Sequence, residues 1–185
     1  MHTDDRENIK ATLAGDGEAY ARLISRYQDK IGTRMWHFTR DQGTWEELVQ
    51  DVFVEAYTSL RGFKGKAPFG HWLNRIATRV GYRFWKKRDT TNQTFHLDES
   101  TEHKFAAPTS ASEDISPKEA ADLIHSQLAQ LPPRDRLVLS LIYLEQASIA
   151  EAAQLSGWSQ SMVKVQAYRA RKKLKRLLEK EQKND

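Results

Sequence analysis

Apolar residues along this chain recur every three to four positions, and almost nowhere every two. That is the period of one face of a helix. It predicts a first helix over 3–13 and a second from 18 to about 39. The second carries Tyr20, Leu23, Ile24, Tyr27, Ile31, Met35 and Phe38 on one stripe. Gly15-Asp16-Gly17 breaks the two apart. After Asp41-Gln42-Gly43, Thr44 and Glu47 stand at the spacing of a capping box, in which each side chain satisfies a free backbone N–H. The third stripe reads Leu48, Val49, Val52, Phe53, Ala56, Tyr57, Leu60, and the opposite face carries Glu46, Glu47, Gln50, Asp51 and Glu55. A loop over 61–70 holds Phe63 between glycines and Phe69 between Pro68 and Gly70. The fourth helix, over 69–88, buries Trp72, Leu73, Ile76, Ala77, Val80 and Phe84.

Periodicity then stops. Within residues 89–115 the runs DTTNQT (89–94) and AAPTSAS (106–112) are rich in turn formers, a composition that predicts a flexible linker. A second block opens at Ser116-Pro117-Lys118-Glu119, a capping box with proline at the first helical position. Leu123, Ile124 and Leu128 form its buried side. Pro132 and Pro133 interrupt, and a helix over 134–143 follows with Leu137, Val138, Leu141 and Ile142 apolar. Ser148 and Glu151 make a third capping box. Small Ala153, then Gly157, then aliphatic Val163 have the spacing of a helix-turn-helix: a close crossing, a left-handed turn and a pinned second helix. No strand pattern and no repeat of 20–50 residues stands out. The expected fold is all-α, with two small helical domains, 1–88 and 116–185, joined by a linker over 89–115.

Charge sharpens this division. The formal net charge is only +4, but it is unevenly spread. Residues 1–60 hold eleven acids against seven Lys or Arg, whereas residues 61–88 hold nine Lys or Arg and no acid. From Lys164 to Arg176 there are seven basic residues, again without an acid. Two separate acid-free runs predict two contacts with a polyanion. Arg75, Arg79 and Arg83 recur every four residues and line one ridge of the fourth helix. There is no cysteine, which excludes disulfides and Cys-based metal or redox sites. No apolar run approaches a membrane span, and the polar start lacks a signal-peptide core, so a cytoplasmic protein is expected.

Five segments carry a family resemblance. They are YARLISRY (20–27), WEELVQDVFVEAY (45–57), FKGKAPFGHWLNRIA (63–77), LPPRDRLVLSLIYLE (131–145) and VKVQAYRARKKL (163–174). In this order and spacing the chain resembles the extracytoplasmic-function (ECF) sigma factors, the smallest members of the sigma-70 class of bacterial RNA polymerase. It departs from the pattern at several positions. Arg79 stands where Asn is usual, Gly70-His71 where Tyr-Thr is common, and residues 165–168 where the family has Ser-Arg-Leu-His.

The resemblance implies a role for each segment. The first domain is region 2 and the second is region 4. Glu47, Leu48, Gln50, Asp51, Phe53 and Glu55 would dock on core polymerase. Lys64, Gly65, Lys66 and Ala67 would form the loop that captures a flipped −10 base. Arg75, Arg79, Arg83, Lys86, Lys87 and Arg88 would follow the −10 backbone, where phosphate neutralisation gives salt-dependent affinity. Trp85 is open between stacking on a base and a place in the core. Phe63 and Phe69 read first as anchors of the loop. Ser159, Gln160 and Ser161 would cap the last helix, contact phosphate, or do both. Lys164, Gln166, Tyr168, Arg169, Arg171 and Lys172 would face the −35 groove. The implied partners are core RNA polymerase, promoter DNA and an anti-sigma factor, which in a membrane-anchored form would hold the chain at the inner membrane. No cofactor, metal or small-molecule substrate is implied.

Two other classes compete. A stand-alone helix-turn-helix regulator accounts for the tail but leaves the acidic helix and the glycine loop unexplained. An enzyme on nucleic acid would need metal-ligand or nucleophile spacing, and the six histidines are scattered.

Overall fold

The computed structural model describes residues 3–95 and 117–181. Among these residues the regular structure is entirely helical. Four helices build the first domain: α1 (Thr3–Leu13), α2 (Gly17–Met35), α3 (Gln42–Ser59) and α4 (Phe69–Phe95). A short 3₁₀ turn, Leu60–Gly62, leads out of α3. The second domain has α5 (Pro117–Ala129), α6 (Pro133–Leu139), α7 (Ile149–Ser156) and α8 (Gln160–Glu181). Between α6 and α7 the chain makes a π-helical turn, Ser140–Leu144.

The first core lies where α2, α3 and α4 meet. Leu23, Ile31, Met35, Phe38, Val52, Leu60, Phe69 and Leu73 are buried there. Fully burying side chains of this size contributes about 1.5–3 kcal/mol each. Contact between α4 and the turn that follows α2 depends on Gly81, because a Cβ there would run into the ring of Phe38. Trp45 fits against Gly32 in the same manner and donates from Nε1 to the Gly32 carbonyl at 2.8 Å. The second core joins Leu128, Leu131, Leu137, Val138, Leu141, Ala152, Val163 and Ala170.

Local chemistry differs from expectation at several places. Asp41, not Thr44, caps α3: its Oδ1 accepts from the Thr44 N–H at 2.8 Å and from the Thr44 hydroxyl at 2.7 Å. An Asp placed before Gln-Gly satisfies the free donors of the first turn three residues early. α2 stops at Met35, and the residues up to Phe38 continue as a turn. α4 runs on to Phe95, past the expected end at 88. The rest of the expected linker, 96–115, and Ser116 of the expected capping box lie outside the described residues.

Three residues of the predicted apolar stripes face outward: Tyr57, Leu123 and Ile124. Tyr57 is 54% exposed and rests edge-on against Tyr20 at 4.9 Å. Leu123 and Ile124 are exposed on α5, whose inward side is Leu128 with half-buried His125. The domains meet along α4, which packs against both α6 and α7.

Candidate nucleic-acid interface

The loop after α3 is tied down from beneath and open on top. Phe63, Phe69 and Trp72 form a cluster with centroid separations of 5.2–5.6 Å. Tyr27 closes its other side at 5.5 Å from Phe69. Both phenylalanines are therefore anchors. Gly65 has φ +66°, a conformation natural to glycine alone. The turn it makes leaves Lys64, Lys66 and Ala67 exposed. Beside the loop lies a cleft of about 500 Å³ lined by Asp5, Tyr27, Lys30, Pro68, Gly70, His71 and Asn74. Gly70 is needed there, since a Cβ would lie 2.8 Å from the Tyr27 ring. Tyr27 donates to Asp5 at 2.7 Å, and burial together with the Asp5 carboxylate pushes its hydroxyl up to about 12.

Arg75, Arg79 and Arg83 form the exposed ridge the spacing predicts. Two of them are engaged. Arg79 donates from Nε to Glu55 at 2.7 Å, and Arg83 donates to its other oxygen at 2.5 Å. Burial pushes the Glu55 carboxyl up, but the donors from Arg83 and Arg79 outweigh it and hold the group below its ordinary value. Glu55, assigned from sequence to the polymerase face, is thus turned across to the basic ridge of α4. Glu47, Gln50 and Asp51 stay exposed together on α3. Leu48 and Phe53, grouped with them from sequence, are buried beneath that face. They support it from within.

Trp85 requires a similar correction. It is only 4% exposed. Its Nε1 donates to the Phe38 carbonyl at 2.7 Å, and the rings meet at 4.5 Å. Arg136 of the second domain covers its free face with a guanidinium 4.0 Å from the ring centroid. A stacking role is closed in this arrangement. Lys86, Lys87 and Arg88 continue outward along α4, and Arg88 lies over Phe84 at 5.6 Å.

In the second domain the turn follows the sequence closely. Ser148 and Glu151 form the reciprocal cap: the Ser148 N–H donates to Glu151 at 2.9 Å and the Glu151 N–H to the Ser148 hydroxyl at 3.2 Å. Gly157 ends α7 at φ +75°. The Ser159 hydroxyl accepts from the Met162 N–H at 3.2 Å and starts α8. Ser161 and Gln160 are exposed at that end. Val163, Ala167 and Ala170 face inward, so Lys164, Tyr168, Arg169, Arg171 and Lys172 are presented outward. Arg171 also donates to the Tyr143 hydroxyl at 3.1 Å. Gln166 faces sideways and donates to Asp135 at 2.5 Å. Lys173, which sequence reasoning did not single out, donates to the other Asp135 oxygen at 2.5 Å. The only signal for that contact was an acid in the first turn of α6, a long way off in sequence.

Comparison with known proteins decides what this arrangement is. The sigma-70 region 2 model matches residues 23–91, and the sigma-70 region 4 model matches residues 121–174. Together they take in well over half the chain. The chain belongs to the ECF sigma factors of the sigma-70 class. It is 26% identical over 183 residues to the ECF RNA polymerase sigma factor SigW of Bacillus subtilis, covering 94% of this chain and 96% of that one. It is 24% identical over 173 residues to the ECF RNA polymerase sigma-E factor of Escherichia coli, covering 90% of each. Among solved structures it is similar to CnrH in complex with the cytosolic domain of CnrY. There the TM-score is 0.60 at 25% identity, with 95% of this chain and 97% of that one covered. As a sigma factor the chain acts in promoter-specific initiation of transcription. Among the described residues no group of His, Asp and Glu is placed to hold a metal, and no helix is long and apolar enough to cross a membrane.

Proposed function

We propose that the two domains, with boundaries near residues 88 and 116, grip a promoter at two points. Region 4 reads the −35 duplex through α8, and region 2 captures and opens the −10 element. The observation that carries this reading is the outward face of α8. Five of its side chains, Lys164, Tyr168, Arg169, Arg171 and Lys172, lie on one exposed side of a helix that Gly157 turns out of the core. A helix presented in this way fits the major groove. Arg and Lys read guanine edges, while Gln166, held by Asp135, steadies the helix from the side.

The loop over 63–70 supports the −10 half. Its lysines are free to hold phosphates, and the neighbouring cleft offers Asn74, His71 and Lys30 to a base taken out of the stack. Exposed Glu47, Gln50 and Asp51 suit a basic surface of core polymerase, where charge pairing speeds encounter and fixes register. The family resemblance supports an anti-sigma factor as the controlling partner, and with it a cytoplasmic chain held at the inner membrane when that partner is anchored there. The protein performs no catalysis of its own and takes no small-molecule substrate.

The test is a pair of measurements on Lys64→Ala/Lys66→Ala. Core polymerase binding should be unchanged while open-complex formation, read by permanganate reactivity of the −10 strand, falls at least several-fold. Equal loss of both would make the loop a structural element. Tight sequence-specific binding by the free chain, without affinity for core, would favour a stand-alone regulator instead.

A further inference from the structure

The contact between the two domains is crowded with cations, of which Arg136 is enclosed without a carboxylate in any described ion pair. Arg136 of α6 is 9% exposed, and its guanidinium lies between the Trp85 ring and the imidazole of His125. Its Nη2 stands 2.9 Å from His125 Nε2. An arginine is always a donor, so His125 must accept there and be neutral. Around this pair stand His37 and Arg40, from the turn after α2, and Arg88 of α4. Two acids answer them. Asp122, on the same helix as His125, meets Arg40 at 3.5 Å. Glu145 is buried against Arg34 at 2.8 Å, and Arg34 also donates to Thr78 of α4. Arg136 itself meets no acid in any described ion pair.

We propose that this contact is an acid-released latch, in which neutral His125 lets the domains close and its protonation drives them apart. The geometry gives the reason. His125 and Arg136 belong to the same domain, but Trp85 of the other domain covers the guanidinium. A proton on His125 Nε2 would set two donors facing each other at 2.9 Å where Arg136 has no water to turn to, and parting the domains gives it that water. Burial, then Arg136 and Arg40, push the His125 imidazole down to about 3. Burial, with Arg40 and Arg34, lowers His37. The sign follows. The closed form binds fewer protons than the open form, so closure is favoured above the ordinary histidine range and weakens as pH falls through it. For His125 alone, the open-to-closed ratio should rise about tenfold from about pH 7.5 to about pH 5.5.

The latch itself rests only on the interface. Its consequence rests on the promoter reading above, because a two-point grip needs the domains apart. Opening would uncover Trp85. It would also free the rim shared by Lys86 of α4 and Gln166 and Lys173 of α8, which now enclose a cleft of about 520 Å³ between the domains.

The experiment uses the full chain. It has no cysteine, so Asp29→Cys and Gln154→Cys, exposed on α2 and α7, give one dye pair across the interface. Energy transfer should be high at about pH 7.5 and fall towards pH 5.5 with helical circular dichroism unchanged. His125→Gln in the same background should flatten that fall. If that variant does not fold, Arg136→Met is the substitute, since it removes the cation facing His125 and should shrink the pH dependence. The proposal is overturned by low transfer at neutral pH, by no fall in the parent, by a fall that tracks loss of helix, or by an unchanged fall in the variants. A latch that works with promoter binding abolished, as in Lys164→Ala/Arg169→Ala, separates this proposal from the promoter reading.

Discussion

In the first domain Glu55 holds Arg79 and Arg83; in the second, Asp135 holds Lys173 and Gln166. The motifs are alike, one carboxylate spanning a basic helix, but the surroundings differ. Glu55 keeps 20% of its side-chain surface, and its arginines keep 57% each. Asp135 keeps 1%, opposite a lysine that keeps 50%. A half-solvated pair is screened by salt and exchanges readily for phosphate. A buried acid lacks water as an alternative partner, so its donors are part of the fold. The first domain thus has a ridge whose charge can be handed to DNA. The second has a recognition helix whose base is fixed before DNA arrives.

Removal of each acid should expose this difference. Asp135→Ala should have the largest effect, costing about 2–3 kcal/mol of second-domain stability as Lys173 and Gln166 lose their anchor. Urea unfolding followed by circular dichroism measures it, and −35 duplex affinity should drop although the net charge rises. A cost below about 0.5 kcal/mol would show that the second carboxylate is as dispensable as a surface one. Next is Lys173→Met, which keeps the aliphatic contact but leaves Asp135 with a single amide donor. About 1–2 kcal/mol should be lost, and restoring charge as Lys173→Arg should recover most of it.

Glu55→Gln should barely change stability, by under about 1 kcal/mol. It should instead tighten non-sequence-specific DNA binding and steepen its salt dependence by up to about two phosphate contacts. Filter binding across a salt series reads this, and an unchanged slope would mean the two arginines never reach the backbone. Smallest is the effect of pH on that pair. Glu55 is held below its ordinary value of 4.5, so its contribution is complete above that value. It fades only as pH falls through the lowered one. A carbon-detected titration of the Glu55 carboxyl should show a midpoint below the ordinary glutamate value.

Legibility in the sequence divides along similar lines. Features made by neighbours in the chain were readable: the bounds of α1, the Ser148–Glu151 cap, the Gly157 turn and the inward Val163. Each depends on backbone donors or dihedrals within a few residues. Features made by distant neighbours were not. Trp85 sits among lysines in sequence, yet Phe38 and Arg136 enclose it in space. Leu123 and Ile124 fit a helical stripe, but the period cannot say which stripe meets a neighbour. Glu55 lies on the outward face of α3, and only the course of α4 shows that two arginines reach it. The site was readable as residue types and faces, and unreadable as pairings.

The π-helical turn over Ser140–Leu144 has a consequence for how this family can vary by insertion and deletion. The Glu145 N–H reaches back to the Ser140 carbonyl, one residue further than in an α-helix. The next residue, Gln146, takes φ +53°. This extra residue works as a phase shifter. Deleting one residue within it would let α6 continue regularly and would rotate everything that follows by about 100°. Glu145 would swing off Arg34, and α7 would leave α4, while the helix-turn-helix beyond kept its own geometry. A one-residue length change here would thus leave the reading head intact and re-aim it.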